Sequence, residues 1–190
     1  MIIAIAGPHS SGKDTIAAFL KPYGFKRISY ADEVCRCVSH KYKLPYARLL
    51  GLNQEDRLWR RTPHTSLAVR NGAHLTPLDV LNIEGDGSRE VQPDVWVKHL
   101  LDVIDKDPQS NWVIPGLRRL NEAQAVLARG GLLWYVHKQG LPLGPEEKEL
   151  PFVRNLASEI IYNQATLSDL EQTVMGLILK FNIQGANATY

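Results

Sequence analysis

Cysteine is nearly absent from this chain, with two in 190 residues, Cys35 and Cys37. Their C-x-C spacing matches neither a redox C-x-x-C nor a zinc ribbon, so two free thiols in a reducing compartment are expected. The six histidines show no H-x-x-x-H spacing, which leaves zinc without support. No stretch approaches the roughly 20 apolar residues of a membrane span. The apolar run Met1 to Ala6 is too short for a signal h-region and has no basic n-region before it. Charge of one sign is also scarce: 22 Lys and Arg stand against 20 Asp and Glu. Arg57, Arg60 and Arg61 crowd together but form no basic run, so a nucleic-acid partner is disfavoured. No internal repeat occurs.

An apolar share of 44% and a charged share of 22% are those of an ordinary globular protein. The length suits one well-buried α/β domain with room for one excursion. The chain is organised around Gly7-Pro8-His9-Ser10-Ser11-Gly12-Lys13-Asp14-Thr15, which follows the apolar run. As G-x-x-x-x-G-K between a buried strand and an amphipathic helix, it has the form of a phosphate-binding loop. Glycines let successive amides converge on phosphate oxygens, and the helix adds its free N-terminal donors and positive dipole end. Lys13 supplies a mobile charge for the outer phosphates. The next residue is ordinarily Ser or Thr, whose hydroxyl binds magnesium; here it is Asp14, with Thr15 displaced by one. A carboxylate can hold magnesium directly or through water.

Strands are expected at Ile2 to Ala6, Phe25 to Tyr30, Trp112 to Ile114, Leu132 to His137 and Glu159 to Tyr162. Asp32 either caps the helix that follows or sits at a strand's carboxyl end, where open α/β sheets place ligands. Residues 43–95 are broken by Pro45, Gly51, Pro63, Gly72, Pro77, Gly85 and Gly87. Short helices at Tyr46 to Leu50, Gln54 to Arg60 and Pro77 to Asn82 would make this stretch a small helical subdomain. Its Arg57, Arg60, Arg61, Arg70 and Arg89 are solvating surface residues or a grip for a second phosphate. A helix is expected from Asp94 to Ile104, with Trp96 read as a core residue in preference to a base-stacking platform. Asn121 caps a helix over Glu122 to Arg129. Residues 138–157 read as a mobile flap. Thr166 and Ser168 are alternative caps for the last helix, Ser168 with Glu171 as a capping box. Residues 184–190 read as a frayed tail.

Taken together, these segments resemble the deoxynucleoside monophosphate kinases of tailed bacteriophages, P-loop kinases related in fold to adenylate kinase and dephospho-CoA kinase. Ser11 to Thr15 resembles that family's SGKDT, including its Asp. Ile28 to Asp32 is similar to its segment after the second strand. Gly87-Ser88-Arg89 and Pro93 to Val97 resemble its glycine-arginine and D-x-W-V stretches. Trp112 to Ala125 resembles its D-V-R strand end and P-N-E-A run. Ser158-Glu159 and Asn163 to Leu170 resemble its closing pattern. The departures are Gly116 where the family has Asp, and Leu78 where an arginine is usual.

The resemblance implies a three-layer α/β sandwich, with about five parallel strands and helices on both faces. A helical acceptor-binding insert at 43–95 and a short lid at 138–157 complete a single domain. It implies ATP and Mg²⁺, with transfer of a phosphoryl group to a deoxynucleoside monophosphate. Gly7, Ser10, Ser11, Gly12, Lys13, Asp14, Thr15 and Asn163 would bind ATP, and Asp14 and Thr15 the metal. Lys13, Arg118 and Asp32 would be catalytic, with Arg119 in reserve for Arg118. Tyr30, Asp32, Arg70 and Arg89 would hold the acceptor, and Arg154 would close from the lid. Small-molecule nucleotides are the implied partners, with no membrane and a homodimer left open. The implied compartment is the cytoplasm, that of the host for a viral protein. Rival readings are another acceptor (dephospho-CoA, a ribonucleotide or a modified pyrimidine) and a nucleotide-binding module without phosphotransfer.

Overall fold

A computed structural model describes residues 1–183, so the tail at 184–190 lies outside the described residues. The chain begins with β1 (Ile2–Ala6), α1 (Lys13–Leu20) and β2 (Phe25–Arg27). Next come α2 (Tyr30–Tyr42), α3 (Tyr46–Leu50), α4 (Gln54–Trp59), β3 (Val69–Arg70), β4 (Ala73–His74) and α5 (Pro77–Val91). It continues through α6 (Val95–Asp105), β5 (Asn111–Leu117), α7 (Leu120–Leu127) and β6 (Leu132–His137). The last described elements are α8 (Leu150–Asn155), β7 (Glu159–Tyr162) and α9 (Leu167–Lys180). Two compact units result, one made of residues 1–29 with 101 onward, the other of residues 30–100.

The first unit is an α/β fold on a five-stranded parallel sheet of order β2-β5-β1-β6-β7. β1 lies in the middle, which is why it reads as an uninterrupted apolar run. Its Ile3 and Ile5 share one face with Val113, Trp134 and Val136, packed with Ile16 and Leu20 of α1 and Val174 and Ile178 of α9. Alternation turns Ala4 and Ala6 to the opposite face, where α7 and α8 contact β1. There Ala123, Val126, Leu150 and Val153 are buried. Each such wholly buried Leu or Ile contributes about 2 kcal/mol of hydrophobic stabilisation.

Two strand boundaries differ from expectation. β2, an edge strand paired with β5 over Phe25↔Asn111 to Arg27↔Val113, stops at Arg27, three residues before α2 begins. Tyr30 already opens α2, so Asp32 lies in that helix's first turn rather than ahead of it. β5 runs on through Pro115 and Gly116. Its register against β1 passes from Ile5↔Pro115 to Ala6↔Leu117, leaving Gly116 as the extra residue of a bulge at φ +86°. α7 starts at Leu120, and Asn121 accepts from the Glu122 N–H within its first turn instead of capping from outside. Thr166 rather than Ser168 caps α9, and Asp169 completes the reciprocal pair. Leu150 and Val153 are buried in the expected flap, so that part of it is fastened to the sheet layer.

In the second unit α2 packs on α3 and α5. α5 does not end near Asn82 but runs to Val91 through both glycines. A Cβ at Gly85 would make only ordinary contact, 3.7 Å from the Val34 side chain, so the helix carries this glycine without a steric need for it. The Gly85 carbonyl accepts from Trp96 Nε1 at 2.9 Å, which seats Trp96 in this core. β3 and β4 form a hairpin that the sequence reading passed over. Its turn is Asn71-Gly72, both residues at positive φ, the strongest short hairpin signal a sequence offers. Among the described residues no helix is long and apolar enough to cross a membrane.

Candidate functional site

The loop between β1 and α1 doubles back because Gly7, Ser10 and Gly12 take positive φ, at 141°, 62° and 106°. Space as well as torsion demands the glycines. A Cβ on Gly7 would stand 2.5 Å from the Val136 carbonyl oxygen, and one on Gly12 would stand 2.6 Å from Asn163 Nδ2. Asn163 braces the loop by donating from Nδ2 to the Ser11 carbonyl at 2.8 Å. Its own N–H bonds the His137 carbonyl at 2.9 Å, so the ends of β6 and β7 both support the turn. Asn163 therefore holds the loop's shape through Ser11.

Lys13 opens α1 and folds back over the loop. Its Nζ donates to the Gly7 carbonyl at 2.8 Å and the Pro8 carbonyl at 2.5 Å. Burial lowers its pKa to about 8, and Arg118 pushes the same way, while Glu147 and Asp14 oppose. Gly12, as N-cap, brings no side chain to the helix's first amides. Ser11 Oγ is buried and meets no partner among the described residues. Free helix-start donors, an orphaned hydroxyl and a poised ammonium together fit a polyphosphate. Asp14 is exposed in the first turn of α1 and Thr15 half-buried beside it, so both are open to a cation that accompanies such a ligand.

Arg118 leaves β5 just past the bulge, half-buried, with Nη1 3.5 Å from Glu146 Oε1. Two carboxylates hold the chain around it. Glu122 Oε2 accepts from the N–H of Arg118 at 2.9 Å and of Arg119 at 3.1 Å. Glu149 takes the Leu120 N–H at 2.8 Å and the Arg119 guanidinium at 3.3 Å. Arg119 is thus committed to Glu149, whereas among the described residues Arg118 keeps a long contact to an exposed acid. The Arg154 guanidinium carbon lies 5.8 Å from the Tyr135 ring centroid. Burial pushes the Tyr135 phenol up, Arg154 pulls it back and Glu147 adds to the rise.

Lys13, Asp14, Thr15, Arg118, Arg154 and Asn163 thus all belong to the first unit, on the loops that follow β1, β5, β6 and β7 or the helices those loops open. The carboxyl ends of parallel strands, where the order reverses about β1, are where such sheets bind ligands. Tyr30, Asp32, Arg70 and Arg89 belong to the second unit. Tyr30 is buried, Asp32 half-buried, Arg70 exposed on β3, and Arg89 pairs with Asp86 at 3.1 Å on α5. The sequence reading passed over Glu147 and Glu149. Both lie in the segment expected as a flap, and nothing in its local pattern marks Glu147 as buried or Glu149 as a partner of Arg119.

No protein-family model matches this chain, and no curated protein matches it in sequence. Solved structures do. Dephospho-CoA kinase from Campylobacter jejuni is similar at a TM-score of 0.52 and 14% identity, over 95% of this chain and 96% of that one. The structure of TT1252 from Thermus thermophilus is similar at 0.51 and 18%, over 95% and 97%. At such identities the likeness shows the fold.

Proposed function

We propose that the protein is a P-loop kinase that transfers the γ-phosphoryl group of ATP to the phosphate of a deoxynucleoside monophosphate. The observation that carries this reading is the loop of Gly7 to Lys13: positive-φ residues, an uncapped helix start, an orphaned Ser11 hydroxyl and a lysine lodged on two loop carbonyls. A likeness in fold to a dephospho-CoA kinase supports phosphotransfer as the class of reaction. The acceptor rests on the sequence resemblance.

In this mechanism the loop amides and Lys13 bind the β- and γ-phosphates, Lys13 exchanging the Gly7 and Pro8 carbonyls for phosphate oxygens. Asp14 and Thr15 would hold Mg²⁺, which neutralises charge on the outer phosphates. Arg118 bridges donor and acceptor phosphates as an acceptor oxygen attacks the γ-phosphorus and ADP leaves. Arg154 closes on the reacting phosphates and excludes water. Tyr30, Asp32, Arg70 and Arg89 orient the acceptor. Positioning and charge neutralisation account for most of the rate in such transfers.

A coupled ADP-release assay across the four deoxynucleoside monophosphates tests the reading. Turnover with at least one of them, and not with dephospho-CoA, is the expected result. Turnover with dephospho-CoA alone would move the acceptor to that compound, the reading favoured by the solved neighbour. ATP binding with no turnover on any acceptor, ribonucleotides and modified pyrimidine nucleotides included, would leave a binding module.

A further inference from the structure

Burying a carboxylate is costly unless its oxygens are matched. Glu147 has no exposed surface and is only half matched. Its Oε2 accepts from the Gly144 N–H at 3.0 Å and closes a 3₁₀ turn over Pro145–Glu147. Its Oε1 meets no donor among the described residues. The adjoining Glu146 reaches the Arg118 guanidinium at 3.5 Å, which ties this turn to the carboxyl end of β5. The Glu147 charge is felt at both Lys13 and Tyr135, one opening α1 just after the phosphate loop and the other near the end of β6. β5 itself ends in Pro115, Gly116 and Leu117, with no acid of its own.

We propose that Glu147 is an acidic residue of the nucleotide site, whose charge opposes a bare polyphosphate and so makes nucleotide binding depend on the divalent cation. The inference rests on reading the Gly7 to Lys13 loop as a triphosphate site. Without the cation, a multiply charged phosphate chain enters beside a buried negative group, where low dielectric strengthens the repulsion. With it, Oε1 gains a positive charge or a metal-bound water to match, and the same carboxylate becomes favourable. A hydrogen-bonding role in the turn is separable, because Glu147→Gln keeps an oxygen for the Gly144 N–H.

The test is calorimetric binding of a non-hydrolysable ATP analogue, once with Mg²⁺ and once with EDTA, to the wild type and to Glu147→Gln. The affinity ratio between the two conditions is expected to fall by about tenfold in the variant, chiefly through tighter binding in EDTA. An unchanged ratio overturns the proposal. So does weaker binding in EDTA, which is what damage to the turn would cause. Asp105→Asn, which removes a surface partner of Arg129, leaves the ratio at its wild-type value and controls for general charge effects. Should Glu147→Gln not fold, Glu147→Asp decides: shortening by one methylene lowers the ratio by about threefold, and an unaltered ratio overturns the proposal. If the wild type binds the analogue in neither condition, the loop reading itself fails, and this inference falls with it.

Discussion

At the scale of single residues, Lys13 carries the most consequence. Lys13→Ala is expected to lower phosphotransfer by about a thousandfold or more, with circular dichroism unchanged. Its titration gives a second check. In the free protein its pKa is lowered from 10.5 to about 8, so above that pH the side chain is mostly neutral. Phosphate oxygens favour the ammonium, so nucleotide binding at about pH 9 should take up a proton. Calorimetry in buffers of different ionisation enthalpy reads that uptake, and a buffer-independent heat would contradict it. For folding the sign is fixed by the same numbers. Between 8 and 10.5 the unfolded chain holds more protons at this position, so the Lys13 contribution to stability rises with pH across that window. Asp14→Asn should weaken the magnesium dependence of turnover while leaving metal-free acceptor binding unaltered. The sequence displayed Lys13 and Asp14 through their spacing from two glycines. It hid Glu147, because a carboxylate's burial depends on what packs above it and not on its neighbours in the chain.

At the scale of elements, the β5 bulge is the place where expectation and backbone part most clearly. The resemblance calls for Asp at position 116, and a Cβ there would meet nothing within 4 Å. What resists a side chain is the backbone torsion of +86°, which costs an L-residue about 1–2 kcal/mol. Gly116→Asp should therefore lower stability by about that amount in urea unfolding, and Gly116→Asn by somewhat less, since Asn tolerates the left-handed region better. Strands β1 and β6 were legible because buried parallel strands are short apolar runs between turn residues, and β7, an edge strand with only Ile161 buried, was legible from its β-branched and aromatic residues. The full length of α5 was not, since two glycines argue against a helix locally. Packing of α5 on α2 and the Thr76 capping box outweigh that penalty. The Asn71-Gly72 hairpin is legible from its turn dipeptide, once the glycine is taken as a turn residue and not merely as a breaker.

At the scale of the whole molecule, a ligand that binds only the folded chain must stabilise it by mass action. An ATP analogue with Mg²⁺ at about a hundredfold above its Kd should add about 2.7 kcal/mol, seen as a higher melting temperature. Lys13→Ala should abolish most of that rise. The fold class could be read from strand spacing and one loop. The stretch at 43–95 could be read as a subdomain from its turn residues, whereas the wider bounds of the unit at 30–100 could not, since they depend on contacts far apart in sequence.

The first strand's hydrogen-bonded neighbours come late in the chain. Ile2 aligns with Trp112, and Ala4 and Ala6 align with Leu133 and Tyr135. On the ribosome the amino-terminal strand is therefore made long before either flank exists. At about 5–20 residues per second, it waits from several seconds to nearly half a minute for its partners to be translated. Throughout that interval a strongly apolar segment emerges with no sheet to join. Nascent-chain capture by chaperones should accordingly persist until β6 has cleared the exit tunnel and decline thereafter.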